Sequence, residues 1–179
     1  VLMPAQNQLG RLAAALSTAF NDQHALGVDM SGEFGGKFFR DINDPSLLSS
    51  RVDYLSGTVL SERAKTASIN VFIDDPFVGE AADYKVLFSE TSPGSFSVVR
   101  STDGETVHRG SSFTTPSEIA FDGIRVRFES GGFEPGDAIL LRPYATFGED
   151  MAVTLTDPAA MALSSPIAVA TDPANQGSG

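Results

Sequence analysis

The chain has 179 residues, 41% of them apolar, and a net charge of −11 at pH 7. That length can bury a proper core in one or two domains, while the acidic balance speaks against nucleic acid or an anionic membrane face as partner, since both need a basic patch. The absence of cysteine excludes disulfides, thiolate metal sites and cysteine nucleophiles, and no apolar run approaches the roughly 18 residues of a membrane-crossing helix.

The first pattern along the chain is helical. Leu2, Ala5, Leu9, Leu12, Leu16 and Ala19 fall alternately three and four residues apart. This is the spacing that lays an apolar seam along one side of a helix, and Phe20 widens it. The helix is expected over about 5–25, with Pro4 suited to its first turn and Gly27 as a left-handed terminator. Two readings of the seam stay open. It is either the buried face of an ordinary core helix, or half of a helix pair whose other half lies outside this chain. The seam is already running at Val1-Leu2-Met3 with no capping residue in front, and no initiator Met is present, which suggests a piece of a longer protein.

Residues 27–50 read as loop, punctuated by Gly27, Gly32, Gly35, Gly36, Asn43 and Pro45. The period then changes to two. Strands are expected at 66–73, 84–88, 96–100, 106–108, 124–128, 138–141 and 152–156. Asp103-Gly104 marks a hairpin joining 96–101 to 105–109. Many short strands with turn signals between them predict an α+β, mainly β chain: an antiparallel sandwich or open-barrel-like domain preceded by one long amphipathic helix. An internal echo, Ser68 to Pro76 and Met151 to Pro158, reads twice as strand, Asp-Pro and turn, and suggests two strands of one sheet. Residues 166–179 are expected to be a disordered tail or linker.

Candidate chemistry is sparse. Asp29 to Glu33 superficially resembles a calcium loop, but from Asp29 the sixth position is Phe34 and the twelfth is Arg40, where Gly and Glu are needed. His24 at the helix end would favour the C-terminal dipole if charged, and His108 reads as an exposed strand residue. Asp74-Asp75 and Asp41/Asp44 could supply paired carboxylates. The Pro that follows each group favours turn capping, and a chain without Trp is poorly equipped to stack sugars. Neither a nucleophile elbow nor a phosphate-cradling Gly-Lys-Ser/Thr loop is present. The sequence therefore offers no catalytic, cofactor-binding or metal-ligating set, and the residues singled out are those of the helix seam: Leu2, Leu9, Leu12, Leu16, Ala19 and Phe20.

Several blocks nevertheless resemble a known family. Met3-Pro4-Ala5-Gln6-Asn7-Gln8-Leu9, then Ala19-Phe20-Asn21-Asp22-Gln23-His24, Gly27-Val28-Asp29, Gly32, Gly35 and Phe38-Phe39, are similar to the middle of the bacterial flagellar hook-associated protein 1 family. Ala81-Ala82-Asp83-Tyr84, Gly136-Asp137-Ala138-Ile139-Leu140-Leu141-Arg142-Pro143 and Val153-Thr154-Leu155-Thr156-Asp157-Pro158 follow in the family's order, as do Ala160, Ala162 and Ser165-Pro166. Ile139 departs from the usual aromatic, and residues 57–65 and 90–116 match nothing in the pattern and read as solvent-facing. The resemblance implies an exported, extracellular, non-enzymatic adaptor at the hook–filament junction. Its implied partners are further copies of itself, the hook protein and the second hook-associated protein, with no cofactor. It also implies that 1–45 belong to a rod-like core, that 46–165 form a β domain, and that the isolated chain is a monomer. The alternative is an extracellular adhesin or ligand-binding β module on the same scaffold.

Overall fold

The computed structural model describes residues 2–54 and 60–165; the tail at 166–179 lies outside them, as do 57–59 of the unmatched 57–65 stretch. The long helix, α1, runs Leu2–Ala25 and so begins before Pro4. It ends on Leu26 and Gly27 amides that reach back three residues, to Gln23 and His24 carbonyls. Gly27 is not left-handed. It is glycine because a Cβ there would overlap the Ala162 carbonyl.

Among the described residues, three further one-turn α-helices, eight strands and a closing 3-10 turn at Pro158–Ala160 follow: α2 (Pro45–Leu48), β1 (Val52–Tyr54), α3 (Glu62–Lys65), β2 (Ser68–Ile73), β3 (Tyr84–Phe88), β4 (Phe96–Arg100), β5 (Thr106–Gly110), β6 (Ser117–Phe121), β7 (Ile124–Ser130), β8 (Ala138–Leu141) and α4 (Phe147–Asp150). The strands make two antiparallel sheets, ordered β1-β8-β3-β4-β5 and β2-β7-β6. The edges meet side by side at β1/β2 and β5/β6 without joining ladders, which leaves a sandwich rather than a closed barrel.

Period-two alternation explains the core. Ile69, Val71 and Ile73 of β2, Tyr84, Val86 and Phe88 of β3, and Ile124, Val126 and Phe128 of β7 all point inward. Between the sheets Phe88 stacks on Phe133 at 4.2 Å, and Phe113 meets Phe128 edge-on at 5.0 Å. The 90–116 stretch is therefore not simply solvent-facing, since Phe96 and Val98 are buried and Phe113 packs on the core; Leu60 and Ala64 are likewise buried in 57–65. Ala13 and Ala14 of α1 join the same core.

Turn chemistry sets the connections. Three Asp-Pro pairs act alike, with Asp44, Asp75 and Asp157 each accepting the amide two residues on. β6 and β7 are joined by Asp122-Gly123, whose φ values of 45° and 73° are those of a type I′ turn. Asp103-Gly104 indeed joins β4 to β5.

The expected strand at 152–156 is reduced to one bridge between Val153 and Phe39. Arg40 donates to the Ala152 carbonyl and Thr154 to the Phe38 carbonyl on either side of that bridge, but the Phe38 amide, which would extend the ladder to Thr154, is taken by the Asn21 side chain. The internal echo thus fails as a pair of strands, although its Asp-Pro turns agree. The outer edge of β2 is also filled by side chains. Asn43 accepts the Ile73 amide at 2.9 Å and donates to its carbonyl at 2.8 Å, and Arg51 donates to the Val71 carbonyl at 2.8 Å and to the Ile42 carbonyl.

Candidate functional site

α1 has two unlike faces. The face against the sandwich is made of small and polar residues: Asn7, Gly10, Ala13, Ala14, Ser17 and His24 are all buried or closely covered. Gly10 lies directly on the segment before α4, where a Cβ would overlap the Tyr144 carbonyl oxygen. Small residues let the helix axis sit that near the Tyr144 backbone and α4, and specific polar contacts then fix its position. The Asn7 side chain donates to Asp83 at 3.0 Å, and Arg11 donates to the carbonyls of Pro76 (2.8 Å) and Phe77 (3.1 Å). Burial pushes the Asp83 carboxyl upward, against the Asn7 hydrogen bond and the Arg142 charge that pull it down.

At the helix end, Asn21 and His24 bind two returning strands of chain. Asn21 brackets Phe38 and Phe39, accepting both amides and donating to the Phe39 carbonyl. His24 Nδ1 donates to the Gly36 carbonyl at 2.7 Å, while Nε2 accepts the Ala162 amide at 2.9 Å. An accepting Nε2 carries no proton, so His24 is a neutral strut rather than a cation facing the helix dipole. Phe20, Phe38 and Phe39 pack around it with ring centroids 4.7 to 5.3 Å apart.

The opposite face carries the seam. Leu9 is 62% exposed, Leu12 65% and Leu16 52%, and Ala19 and Phe20 are exposed too. The side chain of Leu2 falls outside the described residues. Large apolar groups thus line one side of a helix about 36 Å long, where a surface helix would ordinarily be polar. Exposed Phe77 and Val78, on the loop between β2 and β3, stand beside it.

The residues weighed for chemistry take local duties. Asp29 accepts the amides of Ser31 and Glu33 and closes a turn. Asp74 is held by Arg125 through two contacts of 2.8 and 2.9 Å, whereas Asp75 caps its turn, so the pair diverges. Asp41 pairs with Lys37 and accepts the Asn43 amide, and Asp44 caps α2. His108 is half-buried and stacked on Phe96 rather than exposed. Burial pushes the Arg51 guanidinium down to about 10, with Tyr144 and Asp150 drawing it back up; its work is to bond carbonyls. Among the described residues, no three His, Cys, Asp or Glu side chains gather as a metal site, and no helix is long and apolar enough to cross a membrane. Sequence reasoning missed Asn7, Gly10, Arg11, Asn21, Asn43 and Arg51 as positioning groups, because each acts on groups outside its own local element: Asn7 on the Asp83 carboxylate, the others on backbone.

Comparison with known proteins agrees with this arrangement. Residues 1–39 match the helical domain of the flagellar hook-associated protein FlgK. The chain is 31% identical over 164 residues to flagellar hook-associated protein 1 of Salmonella typhimurium and 30% identical to that of Escherichia coli, covering 89% of this chain and 26% of each relative. The solved structure of the flagellar hook junction protein FlgK from Burkholderia pseudomallei superposes with a TM-score of 0.70 at 25% identity, over 90% of this chain and 26% of that one. The chain therefore spans about a quarter of the length of the relatives it matches. Across nine-tenths of its length, helix and β region together, the chain is therefore similar to one section of flagellar hook-associated protein 1.

Proposed function

We propose that this chain is the central part of a structural subunit of the bacterial flagellum, an extracellular, non-enzymatic adaptor at the hook–filament junction. The relatives are named for hook association, and the solved one for the hook junction. The observation that carries the reading is the seam. Leu9, Leu12 and Leu16 stand in solvent although the helix that bears them is firmly docked by its other face. A docked helix with an uncovered leucine stripe is half of an interface. In this reading residues 1–45 belong to a rod-like core completed by helices outside this chain, and 46–165 form the outward β domain. Neighbouring copies, the hook protein and the second hook-associated protein are the partners, and no cofactor takes part. The adhesin alternative has no observation in its favour.

The test is a full-length protein carrying Leu9→Glu, Leu12→Glu and Leu16→Glu in a strain that lacks its own copy. The changed cells should swim poorly and shed filaments, while the same changes in this chain leave its circular dichroism unaltered. Normal filament number and normal swimming would overturn the proposal.

A further inference from the structure

Beside the seam lies a groove of about 310 Å³, with Gln8, Arg11, Leu12 and Ala15 of α1 on one wall and Pro76, Phe77 and Ala81 of the β2–β3 loop on the other. The loop is held in place by three devices. Arg11 clamps the carbonyls of Pro76 and Phe77, Asp75 caps the turn through the Phe77 amide, and Gly79 and Gly123 let the loop lie against the β6–β7 turn. Yet the side chain so carefully placed is left bare, for Phe77 is 61% exposed and Val78 beside it is exposed as well. A pinned backbone that presents an uncovered aromatic ring is a preformed wall, not a loose loop.

We infer that this groove seats an apolar ridge of a second helix, one that runs along the α1 seam and belongs to the same polypeptide outside the present chain. The inference rests on the proposed packing of the seam and adds to it a contact with the β domain. The groove is continuous with the seam through Leu12, which contributes to both. Its walls are mostly apolar and its one charge, Arg11, is already bonded to the Pro76 and Phe77 carbonyls, which suits the apolar side chains of a helix. The relatives are about four times as long as the stretch matched here, so they contain ample further chain to supply a helix. The Phe77 loop then brackets the helix pair and sets the angle between rod and β domain.

These 179 residues contain no cysteine, and any cysteine elsewhere in the full-length protein is first replaced by serine, so that each single-cysteine variant reports one position. Phe77→Cys, Leu12→Cys, Leu16→Cys and the exposed loop control Glu90→Cys are placed one at a time in the full-length protein, and maleimide labelling rates are compared in the secreted monomer and in assembled flagella. The expected result is labelling at position 77 of the monomer at least tenfold slower than at position 90, as at positions 12 and 16. Slow labelling at 12 and 16 with fast labelling at 77 overturns the bracket and leaves the seam reading intact. Fast labelling at all three in the monomer overturns both. Protection of 77 that appears only in assembled flagella assigns the groove to a neighbouring copy and also overturns the inference. Val78→Cys repeats the measurement should Phe77→Cys disturb the loop, with circular dichroism checking each variant.

Discussion

The sandwich and the long helix dispose of their apolar residues in opposite ways. In β2, β3 and β7 the large side chains point inward, and Val71, Val86 and Val126 have no solvent exposure at all. Along α1 the inward positions are Gly, Ala, Ser and Asn, and the leucines face out. The sandwich removes most of its large strand side chains from water between its own two sheets, with Ala13 and Ala14 of α1 closing one side of the same core. The helix is anchored by geometry and hydrogen bonds, and its larger hydrophobic area is still unspent. A stripe of leucines therefore says that something is buried, but only the neighbours decide whether it is buried here.

The contrast can be broken by comparing substitutions in the two regions. The largest effect is expected at Phe128, fully buried between Phe113 and Phe133. Phe128→Ala should cost about 3–5 kcal/mol in urea unfolding of this chain. Next comes Gly10. Replacing an exposed helical Gly by Ala stabilises a helix by about 1 kcal/mol. Gly10→Ala should instead destabilise by about 1–3 kcal/mol, because its methyl meets the Tyr144 carbonyl and forces the helix outward. Leu12→Ser should change stability by no more than about 0.5 kcal/mol, as a leucine already in water has little to lose. A cost at Leu12 comparable to that at Phe128 would abolish the distinction.

The smallest effect concerns the joint between the regions. Burial raises the Asp83 carboxyl in the folded chain, so the native state holds that proton more tightly than the unfolded chain does. The contribution to stability is whole below the ordinary value of 3.8 and is lost as pH rises through the raised one. Asp83→Asn keeps an oxygen for Asn7 and no longer ionises. It should accordingly gain on the parent chain between about pH 3 and about pH 7, read from paired urea titrations. An unchanged difference at the two pH values would show that Asp83 plays no part in the coupling.

Much of the sandwich was legible because alternation is a local signal: β3, β4 and β8 fall where Tyr84–Phe88, Phe96–Arg100 and Ala138–Leu141 alternate or run apolar. β1 was not legible, since its three residues are exposed or half-exposed and are a strand only through pairing with β8. β6 was missed although Asp122-Gly123 announces its hairpin as plainly as Asp103-Gly104 does. Residues 152–156 were over-read, because no pattern within them reveals that Asn21 has already taken the Phe38 amide that would extend their pairing. The seam was visible in the sequence, but its exposure was not. Gly10, Ala13, Ala14 and Ser17 carry too little hydrophobic signal to mark the opposite face as the docked one.

The plug on β2 bears on crowding. A bare strand edge is a template on which any like strand can grow, and copies packed shoulder to shoulder would meet such templates constantly. Asn43 and Arg51 occupy the Ile73 and Val71 positions with side chains whose planar groups imitate the missing neighbour. Under the proposed role, closely packed subunits meet no free ladder at the Val71 and Ile73 positions of β2, because that edge has been closed from within.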